Sequence, residues 1–555
     1  MTPASGGSRD RGDRRNPESG RPGDHPVTDG GEPPTANPTP TLPPANGRPA
    51  RLLALPGDLV SAYHRDTVAA MLDEVGPDAI VAVQPRAGIV DAGIPPDTEA
   101  PVLTPSRSHR PESVTAAGDT LVATIPDGAD GLSAGDVRGR RGDDLTDAGV
   151  GAATGDALDT ASHRVCLTTA VSLTVDPYRR STSFDGLEAY RARLPQGWLT
   201  GPTTHCSTAL RAGYRTTTTV DGGACSLVGI GRSEASLGAG AGDEAVRTAT
   251  LVEVYRNGAV GVETVDPETF GIRGTTGVGE KRAETLRAAG YLTPIDIAEA
   301  PPHELADLSG LGRSTATSIR AAARARAHDT VVATGDDSLP SGQPVFVDIE
   351  TDGLEPSCAW LVGVLDGGGA DGHYMAFRER EPGDTGHLES FLDWLEANAG
   401  GRPLVAWNGY NFDFPVLRTQ ICDHCPGYLD AWEDTYQFDL LWWARDRNGG
   451  NAALPGRSNK LEAVAEALGW HPETTGIDGG VVARVYTAYR RAYLAAEDSR
   501  RVDQPDWDRL ERYCEDDVRA LATIYDALAD AARREPGTTS DTGDGGTQGA
   551  LSDFT

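Results

Sequence analysis

Pro344-Val345-Phe346-Val347-Asp348-Ile349-Glu350-Thr351 decides how the second half of this chain is read. An apolar run that closes on Asp-x-Glu predicts a buried strand with charge at its end. Residues i and i+2 of a strand face the same side, so Asp348 and Glu350 point together. Two carboxylates on a buried strand are costly unless neutralised, and a divalent cation is the natural compensation. With 82 Asp and Glu in 555 residues, a bare Asp-x-Glu carries no information, so the context has to decide.

Moving outward, residues 359–365 and 373–377 read as strands and 388–395 as an amphipathic helix. The strand-like Leu404-Val405-Ala406-Trp407-Asn408 follows and leads through Gly409-Tyr410-Asn411-Phe412 to Asp413, where a helix begins. Alone, Asp413 is explained equally well as a helix cap. The last element is Arg512-Tyr513-Cys514-Glu515-Asp516-Asp517-Val518, inside a helical stretch over 506–531 that starts after Pro505. Tyr513 and Asp517 are i and i+4 and share a helix face, which selects Asp517 among its acidic neighbours. Glu515 and Asp516 are expected to be solvated, and Cys514 to pack.

Asp348-x-Glu350, Asn408-x3-Phe412-Asp413 and Tyr513-x3-Asp517, in this order, resemble the three motifs of the DEDD-type (DnaQ-like) 3′→5′ exonucleases of the ribonuclease H-like fold. Tyr513 resembles the tyrosine of the DEDDy subgroup. The likeness extends to Phe438-Asp439-Leu440-Leu441 and to Asn459-Lys460-Leu461 through Leu468-Gly469, and is similar to the YprB-type ribonuclease H-like domain over 344–533. The resemblance implies an α/β fold, a mixed sheet flanked by helices. It implies that Asp348, Glu350, Asp413 and Asp517 hold two divalent cations, Mg2+ or Mn2+, for phosphodiester hydrolysis. Tyr513 would orient the attacking water or assist its deprotonation. Asn408 would hydrogen-bond near the site or serve as a turn residue.

A second signal precedes this segment. Thr276-Gly277-Val278-Gly279 and Ser309-Gly310-Leu311-Gly312 stand 33 residues apart, each followed by a helical stretch and preceded by a short helix candidate, at 267–272 and 302–308. The repeat resembles a tandem helix-hairpin-helix module over 267–328. Turns without side chains let backbone N–H groups meet a phosphate at the positive end of the next helix, whatever the base sequence. Gly277, Gly279, Gly310 and Gly312, with Lys281 and Arg313 beside them, are therefore the expected nucleic-acid contacts. Residues 270–328 hold eight Lys or Arg against six Asp or Glu, a net of +2 in a chain of −32. A pair of ordinary helical hairpins, or a protein-docking module, is the competing explanation. The phosphate loop of nucleotide hydrolases is excluded, because Glu280 would stand where glycine is required beside Lys281.

The rest is read from composition. The length calls for several domains. Gly and Pro together make 105 residues, well above the ordinary share, so unstructured stretches are expected. Residues 1–50 and 534–555 read as disordered tails, 126–160 as a Gly/Asp-rich linker and 329–343 as a polar linker. The segment 51–125 is β-α-β-like. Residues 161–266 are strand-rich, with a hairpin turning at Arg256-Asn257-Gly258. The N-terminal half is thus an α+β region of unknown fold and role. Lys281 and Lys460 are the only lysines. That usage, with the acidic excess, resembles the proteins of salt-loving archaea, so net charge says little about partners. No apolar run is long enough to span a bilayer. Seven scattered cysteines and a polar start point to the cytoplasm. Cys422-Asp423-His424-Cys425 offers two-ligand zinc spacing with no nearby second pair. A nuclease of DNA or RNA ends is the leading expectation. The others are a structure-binding protein without catalysis and an endonuclease on branched or hybrid substrates.

Overall fold

The computed structural model describes residues 48–534 except 85, 106–111, 117–119, 126–137, 140–162, 177–180, 195–197, 199–202, 221–222, 233–247, 369–371, 446–449 and 475. Nearly all of the expected tails at 1–50 and 534–555 and of the expected linker at 126–160 lies outside the described residues, but Ala50 opens a strand and Arg534 ends a helix, so the folded chain reaches past the expected tail bounds.

The C-terminal segment folds as a five-stranded mixed sheet, in spatial order His373–Arg378, Ala359–Asp366, Val345–Thr351, Leu404–Ala406, Gln437–Asp439. The first three strands form an antiparallel meander, and the last two join it in parallel. Alternation along Val345–Thr351 sorts its side chains to the two faces. Val345, Val347 and Ile349 pack with the Gly386–Asn398 and Asp413–His424 helices. Phe346 faces the other way, into a core built from Val518, Leu521, Ile524 and Leu528 of the long Trp507–Arg534 helix. Period two then turns Asp348 and Glu350 toward that helix as well. This is the α/β architecture expected for 344–533.

The two glycine turns each open a helix, Glu280–Ala288 and Arg313–Ala327. Gly277 and Gly310 have φ of +89° and +82°, a region that glycine enters at little cost. The helix expected at 267–272 is instead two 3-10 turns, Pro267–Thr269 and Gly271–Gly274, because Gly271 at φ +55° breaks it. A helix at Pro294–Glu299, not anticipated from the sequence, is started by a capping box between Thr293 and Asp296 and packs its Ile297 and Ala298 into the hairpin core.

The N-terminal half forms two sheets from interleaved segments. Ala50–Pro56 is the central strand of the first, parallel to Ala79–Val83 and antiparallel to Ala249–Val254, with Leu52 opposite Val252. The second has seven strands drawn from 112–229. Leu52, Ala54 and Val81 of the first sheet share one core with Val122, Val165 and Val228 of the second. The regions 51–125 and 161–266 therefore each contribute to both sheets. The hairpin closes as expected, with Gly258 at φ +83° and Tyr255 N–H bonded to Ala259 O. The polar stretch after the hairpins is fastened: Val332–Ala333 pairs with Ala452–Ala453.

Candidate active site

Asp348 and Glu350 reach the site from the central strand, and Tyr513 and Asp517 from the Trp507–Arg534 helix that covers it. Asp413 begins the Asp413–His424 helix at the carboxyl end of Leu404–Ala406 and is buried. It accepts backbone N–H groups from its own residue and from Ile349, which binds the loop to the strand bearing the other two acids.

The four carboxylates feel one another strongly. Burial and then the charges of Asp413 and Glu350 push Asp348 well above the usual carboxylate range. Glu350 is raised by burial and then by Asp517, Asp413 and Glu462. Asp517 is raised by burial, Asp348 and Glu462, against a hydrogen bond from the Tyr513 hydroxyl. Asp413 rises to about 7, by burial first. Such a set is in balance only when protons or a cation occupy it. All the donors are carboxylate oxygens, which suit a hard divalent ion. Tyr513 is buried, and desolvation first, then Asp517, holds its phenol well above its ordinary value, so it stays a protonated donor.

The structure thus brings together Asp348, Glu350, Asp413, Tyr513 and Asp517. One neighbour escaped the sequence reading. Glu462, in the first turn of the Leu461–Ala467 helix, repels Asp348, Glu350 and Asp517 as a fifth carboxylate. Its signal was present in the Asn459-Lys460-Leu461 likeness but hidden by the abundance of acids. Cys514 is fully buried with its thiol 3.6 Å from Asp348 Oδ2, in one tight group with Asp348 and Glu350. Burial and then Asp348 push that thiol well up, so it remains neutral.

Three further expectations resolve. Asn408 is a turn residue: at φ +61° its side-chain oxygen accepts from Asn411 Nδ2 at 2.7 Å. Asp516 is not solvated. It is 4% exposed and accepts Glu473 N–H, Thr474 N–H and the Thr474 hydroxyl, because the helix face beside Asp517 is covered by that loop. Cys425 is buried in the core, and among the described residues Cys422 and Cys425 join no group able to hold a metal.

At the hairpins, an added Cβ at Gly279, Gly310 or Gly312 would meet nothing within 4 Å, so the turns offer open approach. At Gly277 it would lie 3.2 Å from Ile319. Lys281 and Arg313 are exposed in the first turns of their helices. No helix among the described residues is long and apolar enough to cross a membrane.

Melting should report the carboxylate repulsion. The folded pKa values lie above the unfolded value of about 4. The stability they contribute is therefore complete at low pH and is lost as pH rises through the folded value, near 7 for Asp413. In chelator the melting temperature should fall between pH 5 and 8, and Mn2+ should raise it more at pH 8. Equal shifts at both pH values would contradict a shared cation site.

Comparison with known proteins gives the following. Residues 345–529 match the RNase H superfamily, and residues 274–325 match the SAM-like helix-hairpin-helix tandem. The chain is 45% identical over 70 residues to the DNA repair and recombination protein RadA of Methanocorpusculum labreanum, a match covering 13% of this chain and 21% of that protein. It thus spans about a fifth of the length of that curated relative. Among solved structures it resembles the family B DNA polymerase of Pyrobaculum calidifontis, at 19% identity and TM-score 0.24, covering 35% of this chain and 25% of the other. It also resembles E. coli Exonuclease I in complex with an oligonucleotide, at 16% identity and TM-score 0.18, covering 28% and 41% respectively.

Proposed function

We propose that this chain, with a ribonuclease H superfamily domain behind a tandem helix-hairpin-helix, is a divalent-metal-dependent nuclease of the DEDDy, YprB-type kind that removes nucleotides from the 3′ end of DNA or RNA. The observation that carries this reading is the mutual electrostatic pressure among Asp348, Glu350, Asp413 and Asp517, carried by three separate elements, with Tyr513 hydrogen-bonded to Asp517. These four carboxylates would hold two cations, Mg2+ or Mn2+. Bound there, the cations would supply a lowered pKa for the attacking water and charge compensation for the leaving oxygen. Tyr513, hydrogen-bonded to Asp517 and kept protonated, is suited to orienting the water rather than to deprotonating it. The hairpins would hold the backbone phosphates without reading bases.

The test is cleavage of end-labelled linear and circular single strands of DNA and RNA in molar KCl with Mn2+ or Mg2+. Stepwise loss from the 3′ end, with circles intact and Asp517→Ala inactive, is expected. Circles cut as fast as linear strands would replace the exonuclease reading with an endonuclease. Binding without cleavage by folded protein would leave a structure-binding protein.

A further inference from the structure

Between the first glycine turn and the ribonuclease H superfamily domain lies a cleft of about 450 Å3. Arg273 and Arg282 line it from the hairpin side and Arg445 and Arg457 from the other, against one acid, Glu268. Four guanidinium groups around one opening are out of keeping with a chain of net charge −32. Like charges held together in this way favour an anion between them.

Several of these groups retain unused donors. Arg273 bonds Glu268 at 2.5 Å, but its Nη1 is shut from solvent with no partner among the described residues. The Thr275 hydroxyl, on a lining residue only 2% exposed, also has none. Arg445 has no ion-pair partner among the described residues. Arg457 lays its guanidinium 5.3 Å from the Phe270 ring, which holds it over the cleft, with Glu466 as a charge neighbour. Gly279, also in the lining, leaves the backbone open to close approach.

Arg445 closes the Leu440–Arg445 helix, and Trp442 lies one turn before it on the same outward side, because Trp443 and Ala444 are buried. Trp442 is 54% exposed and sits edge-on to Tyr410, 5.9 Å between centroids, itself 43% exposed. Tyr410 stands three residues before Asp413. Exposed rings beside a cationic groove form the usual surface for unpaired bases.

We propose that Arg445 and Arg457 complete the phosphate site of the first hairpin, so that the two modules clamp the backbone of one single strand. The strand then runs along the Leu440–Arg445 helix over Trp442 and Tyr410 to the carboxylates. The proposal rests on the nucleic-acid reading above but not on catalysis, so it is tested in chelator. Full-length protein is titrated against a fluorescein-labelled 20-nucleotide oligothymidylate by anisotropy over a KCl series. The Arg445→Ala/Arg457→Ala pair should bind about tenfold or more weakly. It should also lose about 1.4 from the slope of log K against log salt, about 0.7 for each phosphate contact. Arg445→Glu, which leaves Arg457 on Phe270, should weaken binding further. Arg500→Ala, an exposed arginine whose partner is Asp498 and which lies outside the cleft, should change nothing. Unchanged affinity and slope in folded Arg445→Glu protein would overturn the clamp, as would wild-type protein that binds no strand at any salt. Wild-type binding lost in the arginine variants, with no cleavage in Mn2+, would uphold the clamp and remove the nuclease.

Discussion

Replacing Asp348 by asparagine should lower cleavage on the order of a thousandfold or more, while raising the melting temperature of the metal-free protein. The loss corresponds to the several kcal/mol of transition-state stabilisation that a cation held in place supplies. The gain arises because Asp348 is pressed by Asp413 and Glu350 inside a buried group. An asparagine of the same shape removes one repelling charge and can still accept from the Cys514 thiol, 3.6 Å away. Sites strained for function commonly trade activity against stability in this direction. Activity assays and melting curves in chelator decide it. Loss of both activity and stability would mean that Asp348 serves the fold, and retained activity would remove it from the catalytic set.

The second large effect is expected at Asp439, whose charge is among those that raise Asp413. This residue is 1% exposed, and its two oxygens accept the backbone N–H groups of Asn408, Tyr410 and Trp442 at 3.0–3.1 Å. One carboxylate thereby ties the left-handed turn at Asn408, the approach to Asp413 and the start of the Trp442 helix. Asp439→Ala leaves three donors without their acceptor. Each buried unsatisfied group costs about 1–3 kcal/mol, so a loss of about 3 kcal/mol or more follows. Melting should drop by several degrees, and cleavage should fall with it as Asp413 loses its seat. A melting temperature unchanged within a degree would show that water replaces the carboxylate at these donors.

The two effects differ in how far the sequence could announce them. Asp348 and Glu350 were legible because strand period is two and the run before them is apolar. Asp517 was legible because i+4 from Tyr513 picks one acid of three. Asp516 beside it was misread as solvated, since nothing local says that the 473–474 loop folds over that face. Asp439 and Glu462 do their work through tertiary contacts, which in so acidic a chain leave no contrast to read. The mixed sheet was legible only through the family likeness. The N-terminal pairing was not, because Leu52 finds its partner at Val252. Arg445 and Arg457 look like scattered surface charge until the hairpin is set beside them.

That distant pairing also bears on how the protein is made. Ala50–Pro56, the first strand among the described residues, stands in the middle of its sheet, and its antiparallel neighbour, Ala249–Val254, emerges about two hundred residues later. At roughly 5–20 residues per second, one edge of that strand waits on the order of 10–40 s without its partner. Long closures of this kind are slow in themselves and leave strand edges exposed meanwhile. The N-terminal half therefore completes only as the hairpin module begins to emerge. A nascent chain stalled anywhere before residue 265 carries an unfinished sheet, and quality control would meet the protein there first.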